Sequence, residues 1–398
     1  MHIGVWITIV LVVCLLLNMV AVAYYGEAEF WFASLKIIGI LGLIMIGIVL
    51  FFGGGPTHDR LGFRFWKDDL AFRKFEGIDG KTGQFLAFWS AFARSGFSFI
   101  LSPELITITA GEAVAPRRDI PKATRRFIYR LITFYCLGSL VIGVIVSSED
   151  PQLLSAIDQG NTNDAGASPF VVGIKNAGIR GLDHVINAVI LTSAWSSGNS
   201  FLFAGSRTLY SLARSGQAPK FLGICNKWGV PYPAVLTTFA VACLAYLNVS
   251  KNAALVFTWF MNITTISGFI AWIVVLITYL RFRNAIQLNG VKLPFTTPLQ
   301  PYATWYALIL ISILTLTNGF GTFLNGFSVE DFIAAYVTIP IFLVLWGGHK
   351  LFFRTPLRWR RTEELDVVSN VADMDEMERL YVEKPPRTAL ERFWRWIA

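Results

Sequence analysis

The stretch that most constrains this chain is the apolar run from Phe85 to Ala110, FLAFWSAFARSGFSFILSPELITITA, which carries Ser102-Pro103-Glu104 in mid-span. The run is long enough to cross a bilayer, yet proline removes a backbone donor and clashes with the preceding turn, so a helix breaks or kinks there. At membrane depth, irregular backbone is tolerated only where protein buries it or a wet cavity borders it. An ionisable group such as Glu104 costs about 2.5–3.5 kcal/mol there on insertion scales and usually serves a function. A broken helix with a buried carboxylate is one way in which transporters build a midplane site. The competing reading is a proline-kinked helix whose Glu104 simply pairs with a neighbouring helix.

Composition extends that constraint to the whole chain. Of 398 residues, 54% are hydrophobic and 15% charged, with a mean hydropathy of +0.55. Soluble domains carry about 25% charged residues, so the composition implies an all-α, multi-pass membrane protein. The net charge of +8 is then a matter of membrane orientation rather than of nucleic-acid binding, and no nucleic-acid partner is expected. Cys14, Cys136, Cys225 and Cys243 lie scattered without metal-ligand or disulfide spacing, and the four histidines are isolated. No metal or other cofactor is expected. Only Met1-His2 precedes the first apolar run, without Lys or Arg, which is unlike a cleaved signal peptide.

About nine transmembrane helices are expected, over residues 3–23, 30–52, 85–110, 128–148, 184–211, 235–248, 254–280, 304–320 and 331–349, the sixth being short. Basic residues are concentrated in alternate connections. Arg117, Arg118, Lys122, Arg125, Arg126 and Arg130 follow the third span; Arg214, Lys220 and Lys227 the fifth; Arg281, Arg283 and Lys292 the seventh; and Lys350, Arg354, Arg358, Arg360 and Arg361 the ninth. Residues 53–84 mix charges, 149–183 are acid-rich and 321–330 have no Lys or Arg. The positive-inside rule therefore places the C-terminus in the cytoplasm and Met1 outside. Residues 1–353 form the expected membrane domain, and 354–398 a cytoplasmic tail with an acidic run from Glu363 to Glu378. A short amphipathic helix (ERFWRWIA) is expected at its end. Asn248-Val249-Ser250 matches a glycosylation sequon, but so close to the membrane that its use is not expected.

Several polar residues lie within these runs. Lys36 is the only Lys or Arg in the second span; it either snorkels to the interface or faces the bundle interior as a charge able to change protonation. Its neighbours one turn away, Phe32, Gly39 and Ile40, offer no ion partner. In the fifth span Ser193, Ser197, Ser200 and Ala204 recur at helical spacing, which suits a close-packing seam as well as a polar site. Asn199 beside them has more polar capacity than packing requires. Thr258, Asn262, Thr264 and Thr265 are assigned to packing. No P-loop, nucleophile elbow, HExxH or His/Cys cluster is present, so the pattern gives no enzyme.

Longer motifs add a resemblance. In order they are Asn18, Tyr25-Gly26-Glu27-Ala28-Glu29-Phe30, Lys36, Phe99 with Glu104-Leu105, and Ala110-Gly111-Glu112-Ala113. Pro116-Arg117-Arg118, Ile120-Pro121-Lys122-Ala123, Ser197-Gly198-Asn199-Ser200, Ser206-Arg207-Thr208-Leu209-Tyr210 and Val230-Pro231-Tyr232-Pro233-Ala234 follow. Over nearly all of residues 1–350 the chain resembles the fungal amino acid permeases of the amino acid–polyamine–organocation (APC) superfamily.

That resemblance implies an inverted-repeat bundle of APC type and proton-coupled symport of amino acids by alternating access, with the plasma membrane as the expected location. It implies that Phe85–Leu105 is the family's sixth span, whose unwound middle binds the substrate, so Ser98, Phe99, Ile100, Leu101, Ser102 and Glu104 are the expected substrate-binding residues. It also implies that Lys36 stands where sodium-driven relatives hold a cation and couples the proton, with Ser196, Ser197 and Ser200 facing the same place. Members often have Gly-Thr where this chain has Ser102-Pro103, which bears on the side chains accepted. The first span here matches the family's fourth, so the bundle is expected to be incomplete at the N-terminus and this stretch alone to transport poorly. A related amine such as choline or 4-aminobutyrate is the alternative substrate, and a non-transporting amino acid sensor on the same fold the alternative function.

Overall fold

The computed structural model describes residues 2–380 apart from 21, 68–69, 76, 114, 159–167, 250–252, 294, 325, 355–359 and 370, together with 388 and 392. Among the described residues the apolar runs are helices and no strand occurs, as expected where every backbone group must be satisfied within its own segment. Among the described residues six helices are long and apolar enough to span a membrane: Val22–Phe51, Gly80–Ile108, Pro116–Ile145, Tyr232–Val249, Leu255–Asn289 and Tyr302–Phe323. Val329–Tyr336 and Thr338–Phe352, bent by 47°, pass together as a seventh. The two remaining expected spans are helical too. Ile3–Met19 is apolar but has only 17 residues, and the 33-residue Leu182–Arg214 carries a run of Ser, Thr and Asn through its middle. The sequon's Ser250 and nearly all of the terminal ERFWRWIA stretch lie outside the described residues.

The chain divides into two compact units, one formed by Met1–Phe88 with Tyr129–Thr258, the other by Trp89–Ile128 with Trp259–Ala398. Three helices, Gly80–Ser95 (α3), Pro116–Ile145 (α5) and Ala253–Asn289 (α10), run through the boundaries between these segments.

In the first unit, α1 (Ile3–Met19), α2 (Val22–Phe51), the later part of α5, α8 (Leu182–Arg214) and α9 (Tyr232–Ala242) pack together. The short helices α6 (Pro151–Asp158) and α7 (Pro169–Asn176) complete it. Glycine permits close approach at two crossings here: a carbon added at Gly39 would come within 2.6 Å of Val189, and one at Gly205 within 2.9 Å of Thr238. An apolar core joins Ile44 and Leu50 of α2 to Val141, Val144 and Ile145 of α5 and Val172 of α7.

In the second unit, α4 (Ser102–Ile108), α10, α11 (Tyr302–Thr317), α12 (Val329–Tyr336), α13 (Thr338–Phe352) and α14 (Val371–Leu380) are the main elements. Ala93, Ile266, Phe269 and Leu314 make its core. Large apolar side chains such as Ile38, Met45, Val275 and Leu345 are exposed on the helices, an outward face that suits lipid and not water.

Candidate functional site

In the first unit, α2 and α8 run antiparallel in a register set by four contacts. Gly39 meets Val189, Phe32 meets the Trp195 ring at 5.8 Å between centroids, Lys36 reaches Ser196, and Tyr25 stacks on Phe203 at 4.3 Å. Residues seven apart on a helix return to the same face after two turns, and so Glu29 and Lys36 point to one spot on α8. There the Ser196 hydroxyl, fully buried, accepts from Lys36 Nζ at 2.7 Å and donates to Glu29 Oε1 at 2.6 Å. Lys36 Nζ lies 3.8 Å from the same carboxylate oxygen, and the two charged side chains are only about a third exposed or less (33% and 27%). Glu29 Oε2 is buried and has no hydrogen-bond partner among the described residues.

One turn further along α8, Asn199 is fully buried and accepts at Oδ1 from Asn18 Nδ2 of α1 at 2.8 Å; the same amide donates to the Cys14 carbonyl at 2.9 Å. Asn18 Oδ1 and Asn199 Nδ2 are buried without a hydrogen-bond partner among the described residues. A polar seam thus runs through an otherwise apolar junction of α1, α2 and α8. Unsatisfied buried polar atoms are uncommon and need a reason.

The expectation that Lys36 has no ion partner within its own helix is corrected. The partner is Glu29, two turns away and so beyond the neighbours one turn off. The seam on α8 is also shifted by one residue from the expected serine face. Ser196, Asn199, Phe203 and Ser206 are buried, as is Ala204 of the expected face, while Ser197 is exposed and Ser193 only partly buried. Ser200 is half-buried and returns its hydroxyl to the Ser196 carbonyl at 3.0 Å. Of the expected proton-coupling residues, Lys36 and Ser196 meet directly.

The second unit holds the expected substrate-binding stretch. The span unwinds, but not at Pro103. Helix α3 ends at Ser95, a tight 3-10 turn follows over Gly96–Phe99, Ile100 is extended, and Leu101 takes a left-handed φ of 62°. A non-glycine residue held there costs on the order of 1–2 kcal/mol. Pro103 instead lies in the first turn of the new helix α4, where its missing N–H is no loss. The break therefore falls on Gly96–Leu101, which includes the expected Ser98, Phe99, Ile100 and Leu101, with Ser102 and Glu104 opening the helix beyond.

One face of α10 supports this break. Gly96 abuts the Phe269 ring, and a carbon added at Gly268 would come within 2.6 Å of Ile100. Trp272, one turn on, donates its indole N–H to Glu104 Oε1, while Glu104 Oε2 is buried without a hydrogen-bond partner among the described residues. So Glu104 does meet a neighbouring helix, but through a neutral donor that leaves half of its carboxylate unspent. Glu29, Asn18, Gly268, Phe269 and Trp272 were not among the residues expected to build the site. Of the threonines assigned to packing, Thr265 is buried and bonds back to Met261. A cavity of about 670 Å³ in this unit lies elsewhere, between Arg281, Trp346, Lys350 and Asp366. Among the described residues no group of three or more His, Cys, Asp or Glu could hold a metal ion.

The family model described as amino acid permease matches residues 1–361. A proline-specific permease of Emericella nidulans is 57% identical over 99% of this chain, which spans 72% of that relative's length. A proline-specific permease of Saccharomyces cerevisiae is 52% identical over 98% of the chain, which spans 63% of it.

Proposed function

The chain belongs to the amino acid permease family, and from that membership we propose that it carries proline, or an amino acid much like it, across the plasma membrane by proton symport. The observation that carries the coupling is the Lys36–Ser196–Glu29 contact. A lysine ammonium, half-buried among apolar helices, keeps a hydroxyl and a carboxylate within reach. Lysine shifts its protonation readily when desolvated, so Lys36 is the group that takes up and gives up the proton.

The substrate side rests on Ser98–Glu104. The unwound turn bares backbone groups that an amino acid's ammonium and carboxylate can use, and Glu104 supplies a charge for the ammonium. Phe99, Ile100 and Leu101 are apolar and suit a compact uncharged side chain such as the proline ring. The two relatives named above are proline-specific by name, which supports proline over larger or charged substrates. Both are permeases by name, which points to transport and not to an enzyme. The basic loops after the third, fifth, seventh and ninth spans support a cytoplasmic C-terminus.

The test is labelled-proline uptake into membrane vesicles carrying the protein, under an imposed inward proton gradient. Accumulation that a protonophore abolishes, and that Lys36→Met eliminates while facilitated exchange persists, is the expected result. Accumulation indifferent to the proton gradient overturns the coupling, and uptake competed by choline or 4-aminobutyrate in place of proline overturns the substrate.

A further inference from the structure

Glu29 lies two turns before Lys36 on α2, and its Oε1 is the acceptor of a hydrogen bond whose donor, Ser196 Oγ, is itself the acceptor for Lys36 Nζ. The two bonds are short, at 2.6 and 2.7 Å, and polarised in one direction, from ammonium to hydroxyl to carboxylate. Ser196 is fully buried, so no water is needed to complete the path. Resting on the reading of Lys36 as the coupling lysine, we propose that Glu29, acting through Ser196, is the group that accepts the proton Lys36 gives up, so the coupling proton is held by a three-residue relay.

The step balances within the triad. An N–H bond of the Lys36 ammonium breaks and the Ser196 oxygen takes that proton as its own O–H bond breaks toward Glu29 Oε1. Lys36 ends as a neutral amine, Glu29 as a neutral carboxylic acid and Ser196 unchanged; no electron changes hands. In a low-dielectric junction a buried ion pair has lost much of its hydration, which brings the neutral pair within reach. Loss of the proton from Glu29 to water leaves amine and carboxylate, and the amine reloads from the other side.

Orientation agrees with that direction. With Met1 outside, α1 runs inward and α2 starts at the cytoplasmic face. Glu29 is then nearer the cytoplasm than Lys36 by about 10 Å of helix rise. The relay therefore points the way a proton must travel for uptake. The Glu29 side chain keeps 27% of its surface exposed, and that exposed part is where the proton departs.

Among the described residues, other ionisable groups lie near the triad on α1, α2, α5 and α8. From α1 there is Cys14, whose carbonyl holds Asn18. On α2 itself Tyr25 is stacked on Phe203 and Glu27 accepts from Trp31 at 3.0 Å. On α8, Arg207 lies eleven residues from Ser196, roughly 16 Å along the helix, and its guanidinium sits 4.6 Å from the Phe203 ring that stacks on Tyr25, one turn before Glu29. His184 lies twelve residues away on the other side, with Asp183, Tyr210 and Arg214 further still. From α5, Tyr135 lies near Gly138, which packs on Ile40 one turn beyond Lys36. Glu29 is thus the carboxylate that Lys36 meets.

The experiment compares Glu29→Gln, Glu29→Asp, Ser196→Ala and Ser196→Thr of the full chain in vesicles. It measures proline accumulation driven by a proton gradient beside equilibrium exchange of labelled for unlabelled proline, which requires no net proton release. The relay predicts that Glu29→Gln and Ser196→Ala cut driven accumulation tenfold or more while exchange stays within about twofold. Ser196→Thr and Glu29→Asp should recover driven accumulation. An equal loss of accumulation and exchange makes Glu29 a structural ion-pair partner only and overturns the relay, as does a Glu29→Gln protein that accumulates proline with the parent's pH profile. If the unsubstituted protein ignores the gradient, the coupling reading itself has failed. A flux-independent measurement accompanies these. The purified protein is titrated and the infrared stretch of protonated carboxyl groups followed. One titrating carboxyl should vanish in Glu29→Gln and shift its midpoint in Ser196→Ala and Lys36→Met; an unchanged titration in all three overturns the proposal. Where Glu29→Gln does not fold, Ser196→Ala decides, since it leaves both charges in place.

Discussion

Gly268 of α10 faces Ile100 so closely that a methyl group there would come within 2.6 Å of the isoleucine side chain. Ile100 is the extended residue at the break in the α3–α4 span, so α10 is packed directly on the unwound backbone. Gly268→Ala must push the break or bend the helix, at about 1–3 kcal/mol for overpacking. Thermal unfolding in detergent should show that loss. Ile100→Val in the same background, which removes one of the two side-chain carbons that lie at 2.6 Å, should restore part of it. A Gly268→Ala protein as stable as its parent would mean that the crossing is looser than the geometry indicates.

Trp272 donates its indole N–H to Glu104 at the start of α4. A hydrogen bond to a charged group is worth about 1.5–3 kcal/mol, and each 1.4 kcal/mol is tenfold in affinity. If Glu104 receives the substrate ammonium, Trp272→Phe leaves the carboxylate without the donor that aims it, and KM for proline should rise tenfold or more. Exchange kinetics at saturating proline should change far less. An unaltered KM would remove Glu104 from the binding site.

The helices were legible because long apolar runs separated by basic and acidic loops leave few alternatives. The break in the third span was legible as a feature but misplaced. Pro103 is the loudest residue in the stretch, yet proline at a helix start costs nothing, and the unwinding follows from Gly96 and the left-handed Leu101. Lys36 was legible as an oddity because a lone lysine inside an apolar helix is expensive. Its partner Glu29 was not, since the pair is seven residues apart and meets only through a serine on another helix. The α8 face predicted by Ser193, Ser197, Ser200 and Ala204 is buried at Ala204 but not at Ser197, whereas Ser196, Asn199 and Phe203 beside it are buried. Which residue of α10 reaches Glu104 depends on rotation about two helix axes, and no periodicity in either segment gives that angle.

The Asn18–Asn199 pair ties α1 to α8 across 181 positions of sequence. Removing one member strands the other, with an amide already lacking one partner, at about 1–3 kcal/mol. Asn18→Leu and Asn199→Leu should each lower the unfolding temperature, and the double substitution should cost less than the sum, because contacting residues couple. Strict additivity would show that the two amides do not stabilise one another.

Lys36→Met removes one charge of a pair that is mostly shielded from solvent. A fully buried pair broken on one side costs roughly 3–5 kcal/mol; with partial exposure retained, the expected cost is nearer 2 kcal/mol. Lys36→Met with Glu29→Gln should recover most of that loss, since no unpaired charge remains, while driven accumulation stays absent. Stability and transport would then separate in one protein. A double variant as unstable as Lys36→Met alone would show that the carboxylate was never the source of the instability.

In the tail, the Asp366 carboxylate is held below the usual carboxylate range by the Ser369 hydroxyl and by the amides of Ser369 and Val368. These bonds close a local turn, with Asp366 Oδ1 accepting from Ser369 N at 2.9 Å and Val368 N at 3.2 Å. A depressed pKa means that the turn favours the ionised form. Its contribution is complete above the pKa of a free aspartate and disappears as pH falls through the lowered value. Ser369→Ala removes the largest cause, so the Asp366 titration should move up toward the ordinary range while the two amide bonds remain. Carbon-13 titration of labelled aspartate in the detergent-solubilised protein reads that midpoint directly, and amide exchange at Val368 and Ser369 should quicken only at the acid end. An Asp366 midpoint unmoved by Ser369→Ala would assign the depression to the amides alone.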